Sequence, residues 1–254
     1  MPFTLSHAVL APPISRLTGH RLPTAALAIG CMVPDLYRLF GRENNYQAHY
    51  WSALLYPSLC IGLLFAVLWY VLYRPVIYRC LGIQHDLKLH SFKKMLGFIL
   101  YVCLALLCGT ATHIIWDGLT HADFRSFAFQ ETLEMPIDLF GQVYPLHRIL
   151  QIATSFIALP FLAWMSLRYY QRYQQHLPVS KAIKCWGYSL AIVTLSSGMI
   201  SVLDYIRYLP WPIWRNNLYS LIGLSFNEFT QIALVVLSLG CMLFLFFDRG
   251  RRLG

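Results

Sequence analysis

The stretch MLGFILYVCLALLCGTATHIIW at residues 95–116 decides the fold of this chain. It is 22 residues long and contains no Asp, Glu, Lys or Arg. A helix that crosses a hydrocarbon core about 30 Å thick needs about 20 apolar residues. The stretch therefore predicts a membrane-spanning helix. Its last turns carry His113, and Asp117 follows directly, so the helix brings ionisable side chains toward one membrane surface.

The rest of the chain repeats this pattern. Of its 254 residues, 57% are hydrophobic and 12% are charged, whereas an average soluble domain is about 25% charged. This composition excludes a single water-soluble domain, and the 15% of aromatic residues exclude a disordered chain. Four further apolar runs predict four more spans: Trp51–Tyr73, Ile149–Leu167, Cys185–Leu203 and Phe229–Phe247.

These runs predict an all-α, polytopic membrane protein with about five transmembrane helices. We expect residues 1–50 to form an N-terminal helical segment that folds over one face, and residues 51–254 to form the transmembrane domain. Within the N-terminal segment, the run Ala25–Val33 is too short to span a bilayer. It is predicted to be a buried or re-entrant segment.

The distribution of basic residues indicates the orientation. With five spans, segments 74–94, 168–184 and 248–254 share one side, and they hold twelve of the twenty basic residues, including all five lysines. The positive-inside rule places this side, and with it the C-terminus, in the cytoplasm. The net charge of +9 then reflects topology and contact with membrane lipid, and no nucleic-acid partner is expected. On the other side, Glu131, Glu134 and Asp138 are predicted to form a solvated acidic loop.

Seven cysteines are scattered through apolar sequence and never form C-x-x-C. This pattern is typical of small buried hydrophobic residues and does not indicate a disulfide framework or a cysteine zinc site.

The end of the second predicted span reads T-H-I-I-W-D-G-L-T-H at residues 112–121. Its His113, Asp117 and His121 are spaced i, i+4 and i+8, which puts them on one stripe of a helix. Imidazole and carboxylate groups are the usual nitrogen and oxygen donors for zinc and similar ions. Ionisable residues at membrane depth are usually functional, so we favour a metal site. The alternative is a helix end that emerges into the interface with solvated side chains.

The N-terminal segment supplies further donors of the same kind. His7 lies in M-P-F-T-L-S-H-A, Asp35 lies in G-C-M-V-P-D-L, and His49 precedes the first span. All three share a side of the membrane with the stripe on the second span, whichever way the chain is inserted. The candidate metal ligands are therefore His7, Asp35, His49, His113, Asp117 and His121.

These four sequence blocks resemble an uncharacterised bacterial integral-membrane family that begins with the same MPFTLSHA signature. That family is similar to membrane-bound metal-dependent hydrolases of the bacterial inner membrane, and more remotely to zinc-dependent phospholipase C. The resemblance covers residues 1–125 by motif and the later half by hydropathy only. It implies a hydrolase in the inner membrane with one or two divalent ions, most simply zinc.

The phospholipase resemblance also implies roles for individual residues. Asp35, His49, His113 and Asp117 match elements that hold one zinc ion, and Asp117 takes the place of a carboxylate that bridges to a second ion. His7 corresponds to an early ligand of that second ion, and His121 lies close to the position of a further histidine ligand. The chain departs from the phospholipase at its first residue, which is Met instead of Trp, and it lacks a later H-x-x-x-E element. The resemblance therefore implies a mononuclear or dinuclear site.

The expected function is a membrane-embedded hydrolase that acts on a phosphoester or lipid-like substrate at the extracytoplasmic surface. Asp35 or Asp117 would serve as the catalytic general base. Arg38 or Arg125 would hold a phosphate or act as a headgroup-level anchor. The alternative is a non-enzymatic membrane protein, such as an ion or solute carrier or an accessory subunit, that binds a metal without hydrolysis. The sequence leaves the substrate and the oligomeric state open.

Overall fold

A computed structural model describes residues 4–40, 47–175, 178–209 and 218–248. Outside the first span, its α-helices are α1 (Ala11–Leu17), α2 (Thr24–Leu36), Phe92–Thr120, Gln130–Glu134, Leu146–Tyr173, Lys181–Arg207 and Leu218–Phe247. Short 3-10 helices cover Thr4–Leu10, Tyr37–Phe40 and Gln47–His49. Two four-residue strands, β1 (Pro136–Leu139) and β2 (Gln142–Pro145), form an antiparallel hairpin.

Five helices are long and apolar enough to cross a membrane, which confirms the predicted all-α polytopic class. The spans are the first (Trp51–Leu81), second (Phe92–Thr120), third (Leu146–Tyr173), fourth (Lys181–Arg207) and fifth (Leu221–Phe247). Each extends beyond the apolar run that predicted it, except the first at its N-terminal end and the fifth at its C-terminal end. Two of the helices are capped by a serine side chain where they begin in polar sequence. The Ser91 hydroxyl accepts a hydrogen bond from the Lys94 amide, and Ser180 does the same for Ile183.

The first span is the least regular of the five. It consists of a 3-10 turn (Trp51–Ala53), π-helical stretches (Leu54–Leu59 and Leu68–Tyr73) and α-helical stretches (Cys60–Val67 and Arg74–Leu81). Tyr56 inside it has a non-helical backbone, and the proline that follows lies within the helix. The span ends at Gly82, whose φ of 66° provides the left-handed C-terminal cap.

The chain divides into two compact units, and the first comprises Met1–Ala66 and Leu87–Tyr169. Inside this unit α2 packs against the second span. Seven residues of α2 are buried, including Leu27, Cys31 and Val33. The prediction that residues 25–33 form a buried segment is therefore confirmed.

The third span joins this packing through two polar contacts. The Gln151 side-chain amide donates a hydrogen bond to the Thr120 carbonyl at 2.9 Å, and Ser155 lies 3.4 Å from Ser6. Both contacts are buried. They hold the end of the second span and the start of the N-terminal segment against the third span.

The second unit comprises Val67–Asp86 and Tyr170–Gly254. Its fourth and fifth spans run antiparallel, since Leu190 meets Gly240 and Gly198 meets Phe229. An apolar core forms around Val76 and Phe244. Residues 249–254, whose basic side chains contributed to the predicted orientation of the C-terminus, lie outside the described residues.

Candidate metal centre

The candidate centre lies in the first unit, where α2 crosses the second span at two glycines. A Cβ on Gly30 would collide with the backbone of Leu106, and a Cβ on Gly109 would collide with the backbone of Leu27 and Cys31. Glycine is therefore required at both positions for the two helix backbones to come this close.

This close approach places the Cys31 carbonyl beside His113, one turn beyond Gly109. His113 Nδ1 lies 2.8 Å from that carbonyl oxygen. A carbonyl can only accept, so Nδ1 carries the proton and donates. In the neutral ring Nε2 then keeps its lone pair, which is the usual arrangement for a metal-binding histidine. His113 Nε2 is buried and makes no hydrogen bond among the described residues.

Asp117, one turn further along the second span, is the centre of the cluster. Its side chain is 3% exposed. Oδ2 lies 3.4 Å from His113 Nε2 and 3.6 Å from His49 Nε2, and Oδ1 lies 3.8 Å from His7 Nε2. These imidazole nitrogens come from three separate parts of the sequence, so the fold itself assembles them around one carboxylate.

The N-terminal segment contributes three side chains to the cluster. The His7 ring stacks on the His113 ring with centroids 3.9 Å apart, and His7 Nε2 is buried without a hydrogen bond in the described structure. His49 Nε2 lies 3.6 Å from Asp35 Oδ1. Asp35 is the most accessible of the six candidate ligands, with a side chain that is 14% exposed. The sequence reasoning expected these three residues to approach the end of the second span, and they do.

His121 lies at the edge of the cluster. Its Nδ1 is 3.5 Å from Asp117 Oδ1 and 3.2 Å from the Asp117 carbonyl oxygen. His121 directly follows the last residue of the span, and its backbone amide caps the helix by donating to the same carbonyl. It is thus a neighbour of Asp117, but its ligand atoms fall outside the two tightest groups described below.

Burial sets the protonation of the histidines outside the spans. It lowers the pKa of His7 well below its ordinary value, and nearby His113 adds to the effect. It also lowers the pKa of His49 and takes the pKa of His121 down to about 4. Burial alone would raise the pKa of Asp35, but the adjacent His49 imidazole and the neighbouring His113 and His7 imidazoles hold that pKa well below its usual range. At neutral pH, His7, His49 and His121 are thus neutral and Asp35 is ionised, which are the forms that bind a metal ion.

Two groups of three side chains have ligand atoms that all lie within 4.8 Å of one another. One group is His7, Asp35 and His113, and the other is His49, His113 and Asp117. Five of the six candidate ligands therefore belong to at least one group of three that could hold a metal ion. His113 belongs to both groups, but with Nδ1 bonded to Cys31 it offers a single lone pair, so it can bind one ion at a time.

Arg125 is a member of the cluster that the sequence reasoning assigned differently. Its Nη1 lies 3.1 Å from Asp117 Oδ2, and its other nitrogens pair with Asp123 at 2.9 and 2.5 Å. It therefore balances the charge of Asp117, and its guanidinium is engaged by two aspartates in this structure. Arg38, the other candidate, lies 4.0 Å from Asp35 Oδ1 and is partly exposed.

The Cys31 carbonyl and the two glycines of the helix crossing were not recognisable from the sequence as parts of the centre. A backbone carbonyl leaves no trace in the residue type. Gly30 and Gly109 were visible, but a glycine signals a close approach only once the neighbouring helix is known.

Comparison with known proteins identifies a family for this chain but no activity. No curated protein and no solved structure matches the chain. A protein family described as a domain of unknown function, DUF4184, matches residues 1–246. Since this match covers nearly the whole chain and every member of the candidate centre, the chain belongs to the DUF4184 family.

Proposed function

We propose that this protein is a membrane-embedded, metal-dependent hydrolase that cleaves a phosphoester or lipid-like substrate at the membrane surface. The observation that carries the proposal is the convergence of three imidazole Nε2 atoms and two carboxylates in one buried cluster. The groups are distant in sequence, and His7 and His113 each keep a buried Nε2 without a hydrogen bond among the described residues. A buried polar atom of this kind is costly unless something binds it.

The donor chemistry favours one divalent ion, most simply zinc. Two imidazoles and one carboxylate, as in the group His49, His113 and Asp117, are a ligand set that leaves a fourth position of a tetrahedral zinc ion open for water. The single lone pair of His113 favours one ion over two. Such an ion would lower the pKa of a bound water to about 7 and would polarise a phosphoryl oxygen.

We assign different roles to the two aspartates. Asp35 is ionised and partly accessible, so it is suited to take a proton from the attacking water as general base. Asp117 is almost fully buried and faces four imidazoles and Arg125, so it is suited to hold the ion. The Arg125 guanidinium fixes the carboxylate orientation from outside the ligand set, as outer partners commonly do.

The depth of the cluster favours an enzyme over a carrier. His113 and Asp117 lie seven and three residues before Thr120, the last residue of the second span, or about 10 and 5 Å along the helix. Carriers place their binding groups near the bilayer midplane, often in broken helices. A centre at the end of a span suits a substrate presented at the membrane surface, and the charge distribution favours the extracytoplasmic side of the inner membrane.

Metal analysis of the purified full-length protein tests the first half of the proposal. We expect about one zinc ion per chain after loading and dialysis, and loss of the ion in the variants His113→Ala and Asp117→Ala. Outer partners alone are worth about 10–100-fold in affinity, so loss of a direct ligand should exceed that range. The matched controls are His90→Ala and Asp86→Ala, which change exposed residues outside the cluster. A wild-type protein that retains no metal would refute the site.

Hydrolysis assays test the second half. Zinc-loaded protein in detergent is offered aryl phosphate mono- and diesters and phospholipid in mixed micelles. We expect turnover in the wild type, and a large loss in Asp35→Asn with the ion retained. A protein that binds zinc through these residues but turns over none of the substrates would instead support the non-enzymatic alternative.

A further inference from the structure

The connection between the second and third spans, residues 121–145, exposes an unusual amount of apolar surface. We call it the aromatic connection. Phe127 is 56% exposed, Phe129 69%, Phe140 103% and Val143 67%. Side chains of this kind are normally buried, and a run of them on one short segment marks a surface that meets another apolar phase.

The hairpin at its centre makes the point most clearly. Leu139 pairs with Gln142, which leaves Phe140 and Gly141 as a two-residue turn with φ values of 54° and 78°. Turns with two positive φ values favour Asn-Gly or Asp-Gly, because a bulky residue is strained there. The turn is instead stabilised by Asp138, whose Oδ1 accepts the Gly141 amide at 3.0 Å. Neither the turn geometry nor packing within the described chain accounts for a phenylalanine at the tip.

Phe129 repeats this pattern in the same connection. Its φ is 61° and its side chain projects from the start of the short helix Gln130–Glu134. Phe129 and Phe140 thus both combine an exposed side chain with a left-handed backbone within one connection of 25 residues. No contact among the described residues explains this combination, so we look for a binding partner outside the chain.

The position of the connection identifies the occupant as the bilayer. The segment begins directly after Thr120, the last residue of the second span, and ends directly before Leu146, the first of the third. Strands of four residues reach about 13 Å, so the tip stays close to the headgroup region. Aromatic side chains are enriched at this level in membrane proteins. The connection therefore adjoins two helices that are long and apolar enough to cross a membrane.

We propose that the aromatic connection inserts Phe140, Phe129 and Val143 into the headgroup region of the bilayer, beside the candidate metal centre. The connection also reaches the cluster, because the Phe124 ring lies 5.1 Å from Tyr50 and Arg125 pairs with Asp117. One continuous segment therefore carries both the side chains proposed to contact lipid and Arg125, which pairs with Asp117 in the cluster.

The charges of the connection define the lipid it prefers. Glu131, Glu134 and Asp138 are exposed, whereas Arg125 is engaged by two aspartates. Such a surface offers no electrostatic attraction to anionic lipid headgroups. The contact is apolar, and zwitterionic lipid is the appropriate probe.

Site-specific photo-crosslinking in phosphatidylcholine nanodiscs tests the proposal. Benzoylphenylalanine replaces Phe140 in the full-length protein, and Val143 in a second variant that does not alter the turn. The matched control carries it at Glu131, an exposed acidic position of the same connection. We expect lipid adducts at positions 140 and 143 at least about tenfold above those at 131, by mass spectrometry.

Equal lipid labelling at all three positions would overturn the proposal. So would adducts of positions 140 and 143 with a second copy of the chain, which would identify the surface as a protein interface. Neither readout involves metal or catalysis, so the result is independent of the proposed hydrolase function.

Discussion

Substitution of Gly109 by alanine should weaken the candidate centre without touching any of its ligands. A Cβ at this position would lie 2.6 Å from the Cys31 backbone nitrogen and 2.9 Å from the Gly30 carbonyl carbon. Non-bonded heavy atoms prefer separations of about 3.5–4.0 Å, and backbone atoms cannot rotate out of the way. Helix α2 must therefore move away from the second span by about 1 Å.

That displacement acts directly on His113. Its Nδ1 lies 2.8 Å from the Cys31 carbonyl oxygen, and an added 1 Å exceeds the range of about 2.7–3.2 Å for such hydrogen bonds. The imidazole then loses the partner that fixes its tautomer. Loss of an outer partner of a metal-bound histidine costs about 10–100-fold in affinity. Overpacking should also lower the free energy of unfolding by about 1–3 kcal/mol.

The matched control is Gly97→Ala in the same helix, where an added Cβ meets nothing within 4 Å. Zinc affinity is measured by competition with a fluorescent chelator, and stability by thermal unfolding in detergent. We expect Gly109→Ala to lose at least about tenfold in affinity while Gly97→Ala matches the wild type. Wild-type zinc affinity in Gly109→Ala would show that the glycine crossing does not position His113.

Two further predictions concern stability. Gln151→Leu removes the donor to the buried Thr120 carbonyl and should cost about 1–3 kcal/mol, measured by thermal unfolding; an unchanged midpoint would contradict the role of this contact. Burial, together with Arg74 and Arg172, lowers the pKa of His85. The unfolded chain then binds the proton more readily, so stability should fall as pH drops below about 6.5. His85→Gln should flatten that decline between pH 8 and pH 5, and an equal slope in both proteins would refute it.

The transmembrane architecture could be predicted because it depends on a property summed over many residues. A run such as 95–116 is long, apolar and uncharged, and a membrane-spanning helix is the usual structure for such a run. The ends of the helices were harder to predict from the sequence, because hydropathy detects the part of a helix that lies in the hydrocarbon core and not the whole helix. The first span continues from Tyr73 to Leu81 through Arg74 and Pro75, because proline is tolerated in the first turn of an α-helix.

The candidate centre was partly predictable for a different reason. His113 and Asp117 share a helical stripe, and chain topology alone put His7, Asp35 and His49 on the same side. The distances required the crossing of α2 over the second span, which depends on Gly30 and Gly109 together. The sequence does not show that two glycines so far apart in the chain face each other in the fold.

The segment between the second and third spans was the least predictable. Glu131, Glu134 and Asp138 predicted a solvated loop, and those side chains are exposed. The same segment also forms a hairpin with Phe140 at its tip, and nothing in the sequence pattern of Phe-Gly indicates a two-residue turn. Arg125 could not be assigned either, because its partners Asp117 and Asp123 are chosen by the fold.

The division of the cluster between the N-terminal segment and the second span has a consequence for biosynthesis. His7, Asp35 and His49 leave the ribosome well before His113 and Asp117 are made. The cluster cannot close until the second span has entered the bilayer and α2 has docked against Gly109. The proposed metal ion could therefore be bound only after membrane insertion, on whichever side the end of that span finally rests.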